Sequence, residues 1–205
     1  MKGRLVGIID YGLGNIGSIA NMVRNIGDRS IYITNPSELD NPEIELLILP
    51  GVGSFDRGVE LLKENQFFES IKEYALRDKR RILGICLGMQ LLFDSSEEGH
   101  KSGLSLIKGT VKKFYNIDSP CIPNMGWRSI EFKKDELLFK DDFTRFYFVH
   151  SYYASCEQPS DIWITSKNGI EYAAAVKSEN IFGVQFHPEK SHIYGKTLLK
   201  HLIHL

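Results

Sequence analysis

Cysteine is scarce in this chain of 205 residues: Cys86, Cys121 and Cys156 are odd in number, far apart and nowhere arranged as C-x-x-C. That spacing argues against a disulfide framework or a zinc knuckle. Charge of one sign is lacking too, because a formal net charge of -1 creates no field that would draw nucleic acid or an acidic membrane surface. No apolar run approaches the ~18 residues that read as a membrane span. The opening MKGRLVGIID has only a short apolar stretch before Asp10, without the core or cleavage site of a signal peptide. Repeats, linkers and low-complexity segments are also missing. These absences leave the expectation of a cytosolic chain with reduced thiols, folding as a single domain over 1–205 that buries roughly 70% of its unfolded surface.

Phosphate-binding loops are equally thin on the ground. No G-x-x-x-x-G-K-[ST] run occurs, and GLGNIG matches G-x-G-x-x-G only through Gly12, Gly14 and Gly17. A dinucleotide site also needs a carboxylate at the end of the second strand. Here SIYIT is followed by Asn35 and Pro36, and Glu38 comes too late. A tight strand-to-helix turn is the better reading of these glycines.

What is present is a change of rhythm halfway along. RLVGIID, SIYIT, ELLILP and RILGIC alternate with amphipathic segments, one from about Asn15 and another running through Lys79, as in βαβ units of a parallel sheet. Thereafter LSLIKGTVKKF, RSIEF, FTRFYFVHSYYA and WITSK, with turn signals at Asn168-Gly169 and Ser178-Glu179-Asn180, predict an antiparallel extension. The apolar spacing of HIYGKTLLKHLIHL predicts a closing helix packed on the sheet.

Against this frame Gly84-Ile85-Cys86-Leu87-Gly88 has the form of a nucleophile elbow, a sharp strand-to-helix turn that lifts one side chain out of the sheet. A thiol at a helix N-terminus is favoured as thiolate, and the Leu87 N–H would face an oxyanion formed beside it. The competing reading is a small buried hydrophobe. Of six histidines only His187, in GVQFHPEKS, has a setting suited to a base: Pro188 keeps the segment extended, so Glu189 stands on the same side and could orient the imidazole. A core or capping histidine is the alternative.

GICLGMQLLF and FHPEKS together resemble the class I glutamine amidotransferases. DYGLGNIGS, LPGVGSF, GLSLIKGTV, NMGW and FVHSYY follow in that family's order, so the likeness spans essentially the whole chain. It implies a flavodoxin-like three-layer α/β sandwich with a mostly parallel central sheet and an antiparallel extension. It implies a glutaminase with Cys86 as nucleophile, His187 as general base and acid, and Glu189 as orienting carboxylate. It places the oxyanion strand at Pro50-Gly51-Val52-Gly53, with the Val52 N–H joining that of Leu87, and a clamp on L-glutamine at Gly51, Gly53, Gln90, Ser151 and Tyr152. No metal or organic cofactor is implied.

In the branch resembled most, a separate (β/α)8-barrel cyclase receives the ammonia as a heterodimer partner, and the pair makes imidazole glycerol phosphate and an aminoimidazole carboxamide ribotide for histidine. Asn15, Asn124, Trp127, Arg128 and Lys190 fall at that interface. That branch usually reads P-H-M-G-W-N, whereas this chain has Pro123-Asn124-Met125-Gly126-Trp127-Arg128. A paralogue feeding a sugar amidotransferase in surface-glycan synthesis is therefore an alternative acceptor. An inert scaffold and a γ-glutamyl peptidase are the alternatives of other classes.

Overall fold

The run RLVGIID forms strand β1 (Leu5–Ile9), which is buried at every residue because β2 (Arg29–Ile33) and β3 (Ile44–Leu49) flank it in parallel and helices cover both faces. The computed structural model describes residues 3–115, 121–133 and 144–205. Val6 and Ile8 pack on one side with α1 (Ile16–Ile26) and α5 (His192–His204), while Leu5 and Ile9 pack on the other with α2 (Phe55–Glu64), α3 (Phe67–Lys72) and α4 (Leu87–Leu91). Alternation within a buried strand thus creates two cores and three layers.

Strand β4 (Ile82–Ile85) continues the parallel half, and β12 (Ile181–Val184) pairs with it, also in parallel. The second half supplies β5 (Ser95–Ser96), β6 (Gly109–Lys113), β7 (Asn124–Phe132), β8 (Arg145–His150), β9 (Tyr152–Cys156), β10 (Ile162–Asn168) and β11 (Ile170–Ser178). The main path runs β2-β1-β3-β4-β12-β11-β10-β7-β8, antiparallel from β12 onward, with β9, β6 and β5 branching from β11. This is the α/β sandwich, parallel over its first half and extended by antiparallel strands, that the motifs implied; the sheet as a whole is mixed. No helix among the described residues is long and apolar enough to cross a membrane.

Local departures have physical causes. The helical stretch expected through Lys79 is broken at Gln66, which takes φ 61 and redirects the chain so that Phe67, Phe68 and Ile71 are buried; a π-helical turn then follows at Glu73–Arg77. The strand expected over LSLIKGTVKKF begins only at Gly109. Leu104 and Leu106 instead donate their N–H groups to the carbonyls of Leu91 and Leu92, each at 2.8 Å, satisfying the C-terminal end of α4. FTRFYFVHSYYA splits at Ser151 into β8 and β9; its first residue, Phe143, lies outside the described residues.

Candidate active site

The chain leaves β4 and enters α4 through Cys86, held at φ 55 and ψ -111, a positive φ that a residue with a Cβ adopts only under constraint. The Cys86 N–H donates to the Val184 carbonyl at 2.8 Å, and its own carbonyl accepts from Gln90 N–H at 3.2 Å, starting the helix. The flanking glycines are required by close approach. A Cβ on Gly88 would lie 1.9 Å from the Leu49 carbonyl oxygen, and one on Gly84 would lie 2.6 Å from that of Gly88. The elbow is therefore wedged against the end of β3, with its thiol at the rim of a cavity.

The candidate base, His187, follows the strand next door. Beyond β12, the His187 N–H donates to the Tyr147 carbonyl on β8 at 2.9 Å, and Ser191, itself fully buried, donates its hydroxyl to the His187 carbonyl at 2.6 Å. His187 is extended, at φ -103 and ψ 97, as Pro188 requires, but Pro188–Lys190 then forms a tight 3-10 turn. That turn, rather than an extended run, swings Glu189 back to accept from His187 Nδ1 at 2.8 Å, with side chains only 3% and 2% exposed. Nδ1 therefore carries a proton, and Nε2 is the nitrogen left for the Cys86 thiol, the other group that acts on this ring. Burial works against the imidazolium, but hydrogen bonding and attraction from Cys86 and Glu189 outweigh it and lift His187 from 6.5 to about 9. The imidazole thus holds a proton at neutral pH that it can give to a leaving group.

Both groups border a cavity of about 290 Å³, near the small end of the roughly 300–1,000 Å³ typical of ligand pockets. Val52, Gly53, Leu87 and Gln90 line it, as do Val149 to Tyr152 and Glu98. Val52 is 43% exposed and Gly53 takes φ +108. Gly51 lies just behind the wall: a Cβ there would meet Gly88 N and Leu87 Cβ at 2.9 Å and the Tyr11 hydroxyl at 3.0 Å. Tyr11 donates that hydroxyl to the Pro50 carbonyl at 2.8 Å, so the residue that leads into the first glycine-rich turn braces the Pro50–Gly53 segment.

The residues expected at a partner face divide. Asn15 is exposed at the start of α1. Trp127, 42% exposed, stacks on His192 with centroids 5.6 Å apart and meets Tyr147 edge-on, and the exposed Lys190 reaches over the Tyr147 ring. Asn124, by contrast, is not on that face. Its side chain is fully buried and bonded to His150, Tyr172 and Arg128. Arg128, half-buried, donates its Nε–H to the Asn124 amide oxygen at 3.0 Å.

Residues that the motifs did not mark also border the site. Glu98 lines the cavity while its Oε2 accepts from the Phe55 N–H at 2.8 Å. Gln185, fully buried, donates to Cys86 Sγ at 3.8 Å and accepts from Gln90 at 3.0 Å; a glutamine inside the apolar run GVQF was the available signal. No cluster of three or more His, Cys, Asp or Glu side chains among the described residues is arranged to hold a metal ion.

A family model described as Glutamine amidotransferase class-I matches residues 7–204. The chain is 46% identical over 201 residues to the imidazole glycerol phosphate synthase subunit HisH 2 of Methanococcus maripaludis, covering 97% of this chain and 98% of that protein. It is 41% identical over 207 residues to the corresponding HisH subunit of Leptospira borgpetersenii, covering 98% and 100%. A solved glutamine amidotransferase superposes with a TM-score of 0.75 over 97% of both chains at 14% identity, a likeness of fold alone.

Proposed function

The chain belongs to the class-I glutamine amidotransferase family as a HisH-like glutaminase, and on that premise we propose that Cys86, His187 and Glu189 hydrolyse L-glutamine to L-glutamate and ammonia. The observation that carries the roles is the shared cavity, where a thiol and an imidazole held by a buried carboxylate border a space sized for one amino acid. Cys86 Sγ, having given its proton to His187, attacks the side-chain amide carbon and forms a C–S bond. The oxyanion is received by the N–H groups of Val52 and Leu87. As the C–N bond breaks, ammonia leaves with the proton from His187. The neutral imidazole then takes a proton from water, whose oxygen attacks the thioester. The C–S bond breaks, glutamate departs, and the sulfur is left beside a protonated His187. Glu189 holds the imidazole orientation throughout.

Gln90, with the backbone of Ser151 and Tyr152, clamps the substrate, and Gly51 and Gly53 permit the oxyanion segment to rotate. Glu98 suits the substrate's α-ammonium group, being the carboxylate among the lining residues. The ammonia passes to a (β/α)8-barrel cyclase docked as a heterodimer over Asn15, Trp127, Arg128 and Lys190, and the acceptor pathway is histidine biosynthesis. The relatives' identity as synthase subunits supports this assignment. The test is glutamate release from glutamine by the complex with its synthase. Loss of at least a thousandfold in Cys86→Ala is expected, and normal turnover by that variant would defeat the reading. A second acceptor, a sugar amidotransferase, is favoured by Asn124 and Arg128 standing where the histidine-pathway pattern has His and Asn. Co-purification followed by assay of each acceptor separates the two.

A further inference from the structure

A continuous path of hydrogen bonds joins Arg128 on β7 to the thiol. Arg128 Nε donates to Asn124 Oδ1 at 3.0 Å, and Asn124 Nδ2 meets His150 Nε2 at 2.8 Å and the Tyr172 hydroxyl at 2.9 Å. His150 Nδ1 meets the Tyr152 carbonyl oxygen at 2.7 Å. That oxygen also accepts from Gln90 Nε2 at 3.3 Å, and Gln90 Nε2 reaches Gln185 Oε1 at 3.0 Å before Gln185 Nε2 approaches Cys86 Sγ at 3.8 Å.

Donor and acceptor counting leaves this path one arrangement. A carbonyl only accepts, so His150 Nδ1 carries the proton and, in the neutral ring, Nε2 is bare. Asn124 must then turn its NH2 toward His150 and Tyr172, using both hydrogens, and its oxygen toward the Arg128 Nε–H. One primary amide thus serves His150, Tyr172 and Arg128 at once. At the far end both hydrogens of the Gln90 amide are taken by Tyr152 and Gln185. Gln90 therefore turns its Oε1, an acceptor, to a ligand in the cavity. Burial keeps His150 neutral, its pKa lowered to about 4, which keeps Nε2 available as an acceptor at neutral pH.

We propose that His150 is a positioning residue for glutamine binding: aligned by Asn124 and Arg128, it holds the Tyr152 carbonyl, which in turn fixes the amide orientation that Gln90 presents to the substrate. This rests on the glutaminase reading above. The experiment compares the wild-type complex with its synthase to His150→Ala, His150→Asn, Asn124→Ala and the Asn124→Ala/His150→Ala pair. KM and kcat for glutamine are measured together with the 15N spectrum of the His150 ring. His150→Ala should raise KM about tenfold, as the loss of one buried hydrogen bond implies, with kcat changed less than threefold. His150→Asn, which keeps a donor near the Nδ1 position, should recover most of that loss. Asn124→Ala should raise KM, and the double variant should be no worse than His150→Ala alone.

An unchanged KM in His150→Ala, or effects that multiply independently in the double variant, would overturn the proposal. So would equal losses of kcat in both His150 variants at constant KM. If the wild-type complex releases no glutamate, the glutaminase reading has failed instead. The ring spectrum then decides the positioning role, for which Nδ1 protonated and Nε2 bare in wild type, with the Nε2 resonance shifted in Asn124→Ala as it loses the amide donor, is the supporting result. The opposite tautomer in wild type excludes it, and the spectrum stands even where His150→Ala does not fold.

Discussion

At the scale of single residues, charge and hydrogen bonding separate roles that composition cannot. Glu189 is committed to His187 through a side chain only 2% exposed, whereas Glu98 reaches the cavity that Cys86 borders and holds the first N–H of α2. Replacing Glu98 by Gln retains an acceptor for the Phe55 N–H and removes only the charge. KM for glutamine should then rise about tenfold or more, because a charge-assisted bond to the α-ammonium is lost, while kcat changes little. Steady-state glutamate release measures this, and an unchanged KM would reduce Glu98 to a helix cap. Cys86 and the His-Pro-Glu segment were legible in the sequence because glycines and a proline force their backbones. Glu98 was not, since nothing in SSEEGH indicates which of its carboxylates turns inward.

Among the elements, the elbow is the place where packing leaves no slack. A methyl group at Gly88 would sit 1.9 Å from a backbone oxygen of β3, which cannot move without disturbing the β1 and β4 ladders on either side. Gly88→Ala should therefore cost on the order of 3 kcal/mol and lower Tm by at least about 5 °C. Thermal unfolding tests it, with Gly17→Ala as the control, since a Cβ there meets nothing within 4 Å. A Gly88→Ala variant as stable as wild type would mean that the elbow and β3 separate readily. Element boundaries were the part least visible in the sequence. LSLIKGTVKKF has strand composition throughout, yet Leu104 and Leu106 serve the carbonyls at the end of α4, a demand set by another element.

Across the whole molecule, two buried histidines shift in opposite directions from 6.5, and their effects on stability oppose each other. Burial lowers His150 to about 4, so its contribution is present above pH 6.5 and is lost as pH falls through 4. His187, raised to about 9 because Cys86 and Glu189 outweigh burial, contributes fully below pH 6.5 and loses that contribution as pH rises through 9. Stability should peak near neutrality and decline on both sides, by at most about 1.4 kcal/mol per pH unit for each proton. Urea midpoints measured across this range should flatten on the acid side in His150→Asn and on the alkaline side in His187→Gln. A wild-type midpoint that does not vary with pH would contradict both assignments.

Periodicity, glycine placement and proline are local signals, and by themselves they determined the alternating first half, the antiparallel second half, the turn that carries Cys86 and the extended backbone of His187. Only the tertiary structure decided what stands behind those residues. Asn124 looked like part of an exposed loop and is fully buried, and His150 looked like one histidine among six and sits between Asn124 and Tyr152. Gln90 and Gln185, separated by 95 positions, meet because β12 returns to pair with β4 beside the elbow. The physical reason is that a side chain's own pattern sets its face of a strand or helix, whereas its partner depends on strand order, which is settled by the packing of the whole sheet.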